Sequence, residues 1–395
     1  MRSSMNDRLG YGIVGFGFVG PHHVDAVRRL GFVDIVAVAG NNLDNLRRKA
    51  KQFFIPKVHR SYQDLIDDAA IDVVGIATPT SLHFPIAMEA IAHRKHVIVD
   101  KPLTISSAQA RELRRAALEA RVVHAVTFNY RYHPIIQQAR AMTLRGDLGK
   151  IRFIHGHYLQ DWLLHDTDFS WRLEPDKAGD LCVAADAGAH WYDLAEYLTG
   201  SRIVQVFADL HTMIKVRRRR TGLSEEAFAS ADTGPTAEYQ VRGDDLSNLF
   251  LRFDDGAVGS FSASQICAGH KNDLTIELNG SEASARWSAE RSEELWIGRR
   301  GQPNQLLVKD PRLFEKEAAI YARLPGGHEE GWPDAFRNLM KNVFTFIAEG
   351  RDPRDADGVT FPRFDEGYRS ALVVDAILRS HQDGGRWAEV ATLTL

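Results

Sequence analysis

Tyr11-Gly-Ile-Val-Gly15-Phe16-Gly17-Phe18-Val19-Gly20 passes from a short apolar stretch into a glycine-rich turn, and the apolar spacing from Pro21 to Leu30 is helical. The glycines stand where a strand becomes a helix, the context in which Gly-x-Gly-x-x-Gly points to a dinucleotide. Gly15 permits the tight turn, Gly17 lets backbone approach a pyrophosphate, and Gly20 lets helix and strand pack closely. The helix N-terminus then favours the phosphate charge. Phe16, Phe18 and Val19 share the turn and its expected contact with the nucleotide. The competing reading is an ordinary tight turn.

Outward from this turn, short apolar runs alternate with helical patterns as far as residue 128. Strands are expected at Tyr11–Val14, Asp34–Ala39, Val73–Ala77, His96–Val99 and Val122–Thr127. Such alternation makes a doubly wound parallel sheet. Beyond it the segments are longer and of period two: Ile151–Gln160, Val204–Ile214, Ser247–Phe253, Ala257–Gln265, Leu274–Leu278 and Ala283–Trp287. Those predict a largely antiparallel sheet with one face exposed or covered by a partner. Helices are expected from Ala184 to Leu198 and from Pro333 to Glu349, the second with proline in its first turn. The fold class is therefore α/β. An N-terminal Rossmann domain covers residues 1–128, and a C-terminal α+β domain with a large, mostly antiparallel open sheet covers 129–395.

A chain of 395 residues with 44% hydrophobic content can core two such domains. A net charge of −3 leaves no general attraction for nucleic acid or an anionic membrane. The basic run Arg217–Arg220 precedes a stretch of Gly, Ser, Glu and Ala and reads as a solvated loop. Cys182 and Cys267 make neither a disulfide framework nor a Cys-x-x-Cys zinc pair, which fits a reducing compartment. Met1 to Leu9 holds no signal-peptide core, and no stretch approaches the roughly 20 apolar residues of a membrane span, so a soluble cytoplasmic protein is expected. Apolar positions such as Leu249, Leu251, Phe253, Val258, Phe261 and Ile266 give the second sheet a face that a lone chain would expose. A homo-oligomer, dimer or tetramer, is expected through that face.

Lys95-His-Val-Ile-Val-Asp100-Lys101-Pro102 ends a parallel strand, where such sheets hold ligands, and Pro102 turns the chain there. Further on, Asp186, His190 and Asp193 fall at i, i+4 and i+7, on one helical face. Oxidising a secondary alcohol requires a proton acceptor at the hydroxyl and a stabiliser for the developing alkoxide. Histidine titrates nearest neutrality and suits the first task, with a neighbouring carboxylate fixing its tautomer. The Lys101 ammonium suits the second. The bland alternatives are that Asp186 is a turn residue, that His190 is a core histidine beside Trp191, and that Asp193 is structural. Lys101 and the glycine turn in the same chain favour the catalytic reading of Lys101, Asp186 and His190.

Candidate substrate contacts are Arg131 and Tyr132, with His133 beside them after the last strand of the parallel sheet, and Asp161 and Trp162 after the first long strand of the second domain. Aromatic faces with polar partners suit a polyhydroxylated ring. Trp171 and Arg172 could serve the substrate or the cofactor. His328, with Glu329 in Gly326-Gly-His-Glu-Glu-Gly-Trp332, is a further substrate candidate, a solvated loop being the alternative. His22-His23 and His165-Asp166-x-Asp168 lack the spacing of a closed metal site, and no metal is expected.

The chain resembles the glucose-fructose oxidoreductase, inositol dehydrogenase and MocA-like oxidoreductases over essentially its whole length. The resemblance rests on Gly15-x-Gly-x-x-Gly20, Ala77-Thr78-Pro79-Thr-Ser-Leu-His83, Lys95–Pro102, Asn129-Tyr-Arg-Tyr-His-Pro134 and Asp186-Ala-Gly-Ala-His-Trp-Tyr-Asp193, in this order. It implies a nicotinamide-dependent oxidoreductase of sugars, polyols or their derivatives. Lys101, Asp186 and His190 match the family's reacting residues. Thr78, Pro79, His83, Asp100, Lys101 and Asn129 would meet the cofactor. Asp100 departs from the family's usual glutamate, leaving a shorter acid to orient the lysine.

The second strand ends in Val36-Ala-Val-Ala-Gly40-Asn41-Asn42, with Gly40 where an NAD enzyme places the acid for its ribose. Asn41, Asn42, Arg47 or Arg48 could hold a 2′-phosphate, and the asparagines also suit plain ribose hydroxyls. The cofactor is NAD or NADP, with a slight lean to NADP. Two other functions stay open: an NAD-dependent glycoside hydrolase working by transient sugar oxidation, and a catalytically inert nucleotide-sensing regulator, since fold alone does not prove function.

Overall fold

The computed structural model describes residues 8–220, 235–354 and 358–394, and these pack as two units. The first holds the described residues through Phe128, together with those of Phe336–Arg369 and the last ones from Leu393. Its strands are β1 (Leu9–Val14), β2 (Val33–Ala39), β3 (Lys57–His59), β4 (Val73–Ile76), β5 (His96–Val99) and β6 (His124–Val126). They form one parallel sheet in the order β3-β2-β1-β4-β5-β6. Ile13, Val38, Val74, Ile98 and Ala125 are fully buried, as strands covered on both faces require. β3 was not foreseen, because three residues without an apolar run give no period to detect.

The strand order reverses between β1 and β4, which makes the carboxyl ends there a crevice for a ligand. Backbone bonds from Gly15 N to Ala39 O (2.9 Å), Ala77 N to Val14 O (2.8 Å), Asp100 N to Ile76 O (2.9 Å) and Thr127 N to Val99 O (3.0 Å) carry the ladder past those ends. Residues 336–369 were expected in the second domain. Their described residues pack here instead: Phe344 meets the edge of Tyr11 at 5.7 Å, Phe336 meets His23 at 4.9 Å, and Pro362 O accepts from Val126 N at 2.9 Å. The parallel sheet needs cover for its buried aromatic residues, and the chain supplies it from a distant segment.

The second unit, the described residues of Asn129–Ala335 with Ser370–Thr392, is built on a nine-stranded sheet. After β7 (Ile151–Leu159) and β8 (Ile203–His211) come β9 (Val216–Arg220), β10 (Thr236–Gln240), β11 (Leu246–Phe253) and β12 (Val258–Ser264). β13 (Asp273–Gly280), β14 (Ser284–Ser288), β15 (Glu294–Gly298), β16 (Gln305–Val308) and β17 (Ala388–Glu389) follow. The order is β16-β15-β14-β13-β7-β12-β11-β8-β17, antiparallel except where β12 runs parallel to β7.

The helix Gly188–Thr199 lies on this sheet. Trp191 stacks on Phe261 at 4.7 Å and donates to Thr275 O at 3.1 Å. Gly156 of β7 makes room, since a Cβ there would stand 2.7 Å from the Trp191 Nε1. Leu249, Leu251, Phe253 and Phe261, expected on the open face, are buried. The exposed apolar side chains of this sheet include Phe153, Phe250, Val258, Leu306 and Val308, with Val258 paired to Phe153 in register. Period two shows that a strand has two faces but does not show which one a helix will cover.

The basic run is likewise not a solvated loop. β9 pairs antiparallel with β10 in a separate hairpin, and the Arg217 side chain is wholly buried. Among the described residues no helix is long and apolar enough to cross a membrane.

Candidate active site

The candidate residues fall into two groups, one in each unit. In the first, Gly15 has φ of +90°, and a Cβ there would lie 2.5 Å from Ala77 O, so only glycine fits. A Cβ on Gly20 would lie 2.6 Å from Gly15 O, the close packing expected of the third glycine. A Cβ on Gly17 would meet nothing within 4 Å, which leaves open space over the helix N-terminus. At the neighbouring strand end the Thr78 hydroxyl is buried without a hydrogen-bond partner. Open space at Gly17 and an orphaned hydroxyl at Thr78 fit a dinucleotide pyrophosphate.

Pro79 leads into the turn Thr80–Leu82 and the helix His83–Ala92. The buried His83 ring ties that helix to two strand ends, with Nδ1 2.9 Å from Pro102 O and Nε2 3.0 Å from Thr78 O. Burial pushes its pKa down, and the neutral ring has one N–H, which it gives to one of these two carbonyl groups. Asp100 accepts the main-chain N–H of Lys101 at 2.9 Å. At the end of β2, the Asn42 side-chain oxygen caps the helix Leu43–Gln52 by accepting from Asn45 N at 3.1 Å, which leaves the amide nitrogen as its donor to a ligand. Arg47 lies 3.8 Å from Asp44, and Arg48 donates to Asn45 at 2.7 Å, while Asn41 is exposed.

In the second unit, Asp186 ends the one-turn helix Val183–Asp186, and His190 lies in the first turn of Gly188–Thr199. One continuous helix was expected. The break comes at Ala187, just before Gly188, where a Cβ would stand 2.3 Å from the Tyr192 hydroxyl. Arg172 Nε lies 3.0 Å from Asp186 Oδ2, and Gln265 Nε2 donates to the same oxygen at 3.4 Å. Tyr130 meets the His190 ring edge-on at 4.7 Å, and Tyr158 lies 6.3 Å away. The two phenol oxygens are 3.1 Å apart, and Tyr158 donates to Asn272 at 2.6 Å. Burial pushes the Tyr158 phenol well up, so it stays protonated as a donor.

Beneath Asp186, the buried Asp244 accepts from Cys182 N at 2.7 Å and Ala184 N at 2.8 Å, and burial raises its pKa to about 6. Sequence reasoning missed Tyr130, Tyr158, Asp244, Gln265 and Asn272. Only Tyr130 left a signal, as the neighbour of Arg131 in the same motif.

The remaining candidates divide. The Arg131 guanidinium is engaged by Asp193 through both Nε (2.7 Å) and Nη2, both side chains being buried, so its expected substrate role gives way to a structural one. Asp193 is accordingly the partner of Arg131. Tyr132 is buried against Tyr321 at 5.8 Å and is likewise core. Asp161 accepts from Lys271 Nζ at 2.6 Å, which holds its carboxyl below the usual range. Trp162 donates to Gln160 at 3.1 Å, and the Arg172 guanidinium lies 4.5 Å from the Trp171 ring centroid and 5.9 Å from that of Trp162. Asn129 is buried with its amide nitrogen unpartnered. His328 is exposed, and its carbonyl oxygen accepts from the buried Lys309 at 2.6 Å, so its loop is anchored through the main chain. Lys309 also pairs with Glu330 at 2.9 Å.

Residues 9–128 match the profile of an oxidoreductase family with an NAD-binding Rossmann fold, and residues 136–286 match the GFO/IDH/MocA C-terminal domain. The chain is 31% identical to levoglucosan dehydrogenase from Pseudarthrobacter phenanthrenivorans, over 94% of this chain and 96% of that protein. It is 24% identical to the NAD-dependent scyllo-inositol 2-dehydrogenase of Bacillus subtilis, over 71% of this chain and 74% of the other. A solved levoglucosan dehydrogenase in complex with NADH and L-sorbose superposes with a TM-score of 0.86 at 28% identity, covering 98% of this chain and 100% of that one. An inositol dehydrogenase homologue from Azotobacter vinelandii, complexed with NAD+, gives 0.85 at 26% identity, covering 97% of each chain. The chain thus belongs to the glucose-fructose oxidoreductase, inositol dehydrogenase and MocA-like family of NAD-binding oxidoreductases.

Proposed function

We propose that the protein oxidises a secondary alcohol of a sugar, inositol, polyol or glycoside, or reduces the matching ketone, and that Lys101, Asp186 and His190 carry the chemistry. The observation that carries the assignment is the grouping around His190: an imidazole against the Tyr130 ring, one helical turn past a carboxylate held by Arg172 and Gln265. A bound nicotinamide supplies the hydride acceptor. Lys101 donates a hydrogen bond to the substrate oxygen and stabilises the alkoxide that develops there. His190 takes the hydroxyl proton, and the Asp186 charge favours the imidazolium that results. Trp162 and Trp171 offer flat apolar faces to the carbon side of a sugar ring.

NADP is admitted beside NAD, because Gly40 puts no carboxylate where a 2′-phosphate would sit. A cytoplasmic setting and a homo-oligomer joined through the Phe153, Phe250 and Val258 face complete the assignment. The test is a screen of inositols, aldoses, levoglucosan and glycosides with NAD and NADP, following reduced nicotinamide and product together. Stoichiometric nicotinamide reduction is expected. Glycoside cleavage without net reduction would assign transient oxidation instead, and no turnover of any compound would favour a nucleotide-sensing regulator.

A further inference from the structure

The arginines of β9 have no part in the chemistry above, yet three in succession grip one short segment. Arg217, fully buried, donates through Nη1 to His165 O (2.8 Å) and Asp168 O (3.1 Å), and through Nη2 to Leu163 O (2.9 Å). Arg218 pairs with both carboxylate oxygens of Asp166 at 3.0 Å, and its N–H donates to Asp166 O at 2.7 Å. Arg219 donates to Glu174 at 2.6 Å and lies 5.1 Å over the Phe169 ring. Across the hairpin Tyr239, the register partner of Arg217, donates to Leu173 O at 3.1 Å.

Residues 163–174 form no strand, and the carbonyl groups of Leu163, His165 and Asp168 take their side-chain donor from β9. The planar fork of Arg217 reaches three of them at once, which an ammonium on a flexible stem does not match. The same segment carries Trp171 and Arg172, and Arg172 Nε stands 3.0 Å from Asp186. We propose that Arg217 is a positioning residue of the active site: by fixing residues 163–174 it sets Arg172 on Asp186. This rests on the assignment of Asp186 and His190 to the reaction.

A double-mutant cycle tests it, with kcat/KM measured for the sugar giving the highest rate in the screen above. Arg217→Met should lower kcat/KM at least tenfold and leave cofactor Kd unchanged within about twofold. The double variant with Arg172→Met should be no worse than Arg172→Met alone, because Arg217 acts through Arg172. Losses that multiply, or full kcat/KM in Arg217→Met, would overturn the proposal.

Glu174→Gln releases the Arg219 end and leaves the buried fork intact, which keeps the test usable should Arg217→Met fold poorly. It should cause a smaller loss, again absent in the Arg172→Met background, and a loss that persists there counts against the proposal. Trypsin provides a readout without any sugar: cleavage after Arg172 should be slow in the wild type and fast in Arg217→Met and Glu174→Gln. Equal rates would mean the arginines do not hold the segment. Lys101→Ala and His190→Asn in the same assay test the underlying assignment separately, since full activity in both would remove it whatever the cycle shows.

Discussion

Thr127 donates its hydroxyl to Asp100 Oδ1 at 2.5 Å, and that same oxygen accepts the main-chain N–H of Lys101. An acid one methylene shorter than the family's glutamate thus fixes the lysine through its backbone, at a point tied to the end of the neighbouring strand β6.

Because Asp100 holds Lys101 by its main chain, truncating the side chain should leave the strand end undisturbed. Lys101→Ala should bind cofactor almost normally and lose roughly 10²–10³ in turnover, the usual cost of one donor to a developing oxyanion. Fluorescence titration with the cofactor and saturating-substrate kinetics separate the two effects. Retention of more than about half the activity would remove Lys101 from the mechanism.

His190→Asn should abolish the neutral-range limb of the pH–rate profile, since the group that titrates there is gone. Asp186→Asn should give an intermediate loss, because the base remains while the charge favouring the imidazolium is lost. An unchanged limb in His190→Asn would assign the proton to Lys101 or to a water relay.

Gly40→Asp should penalise NADP against NAD by about 5–150-fold in the ratio of kcat/KM, the equivalent of 1–3 kcal/mol of like-charge repulsion. The site tolerates the substitution, since a Cβ at Gly40 would touch only the Leu46 methyls at 3.5 and 3.8 Å. An unchanged ratio would show that residue 40 does not face the adenosine ribose.

Asp244 makes stability depend on pH in a stated direction. Its folded pKa of about 6 stands above the ordinary 3.8, so between these values the folded state binds more protons than the unfolded one. Its contribution is fully present below about pH 4 and is lost as the pH rises through about 6, a change on the order of 1–3 kcal/mol. Asp244→Asn should remove this trend and cost about 1 kcal/mol for the weaker grip on Cys182 and Ala184. Urea denaturation of both proteins at pH 4.5 and 6.5 checks it; equal pH dependence would place the titration elsewhere.

The exposed sheet face should join copies of the chain. Phe250→Glu puts a charge opposite Phe207, on the exposed apolar face, and should shift a dimer or tetramer toward monomer in sedimentation at micromolar concentration, with the melting temperature little changed. A wild-type protein that sediments only as monomer refutes the expectation.

How far the sequence reaches depends on the range of the forces involved. The glycine turn was legible because its three glycines fall within six residues at a strand-to-helix corner, and the close approach of Gly20 to Gly15 is made inside that stretch. The strand ends that present Thr78 and Lys101 follow from local periodicity, whereas the break at Ala187 between Asp186 and His190 does not. Arg131, by contrast, read as a substrate ligand because its burial depends on Asp193, 62 residues on.

The sequence by itself determined the parallel nucleotide-binding sheet, the second sheet and the lysine, aspartate and histidine of the candidate site, because period, turn chemistry and motif spacing are short-range properties. Only the tertiary structure decided which sheet face is covered, that the described residues of 336–369 pack with the first unit, and that four adjacent arginines lie in one strand with the first of them, Arg217, buried. Whether a charge is solvated or enclosed depends on partners far along the chain, and the carbonyl groups that receive Arg217 lie about 50 residues before it.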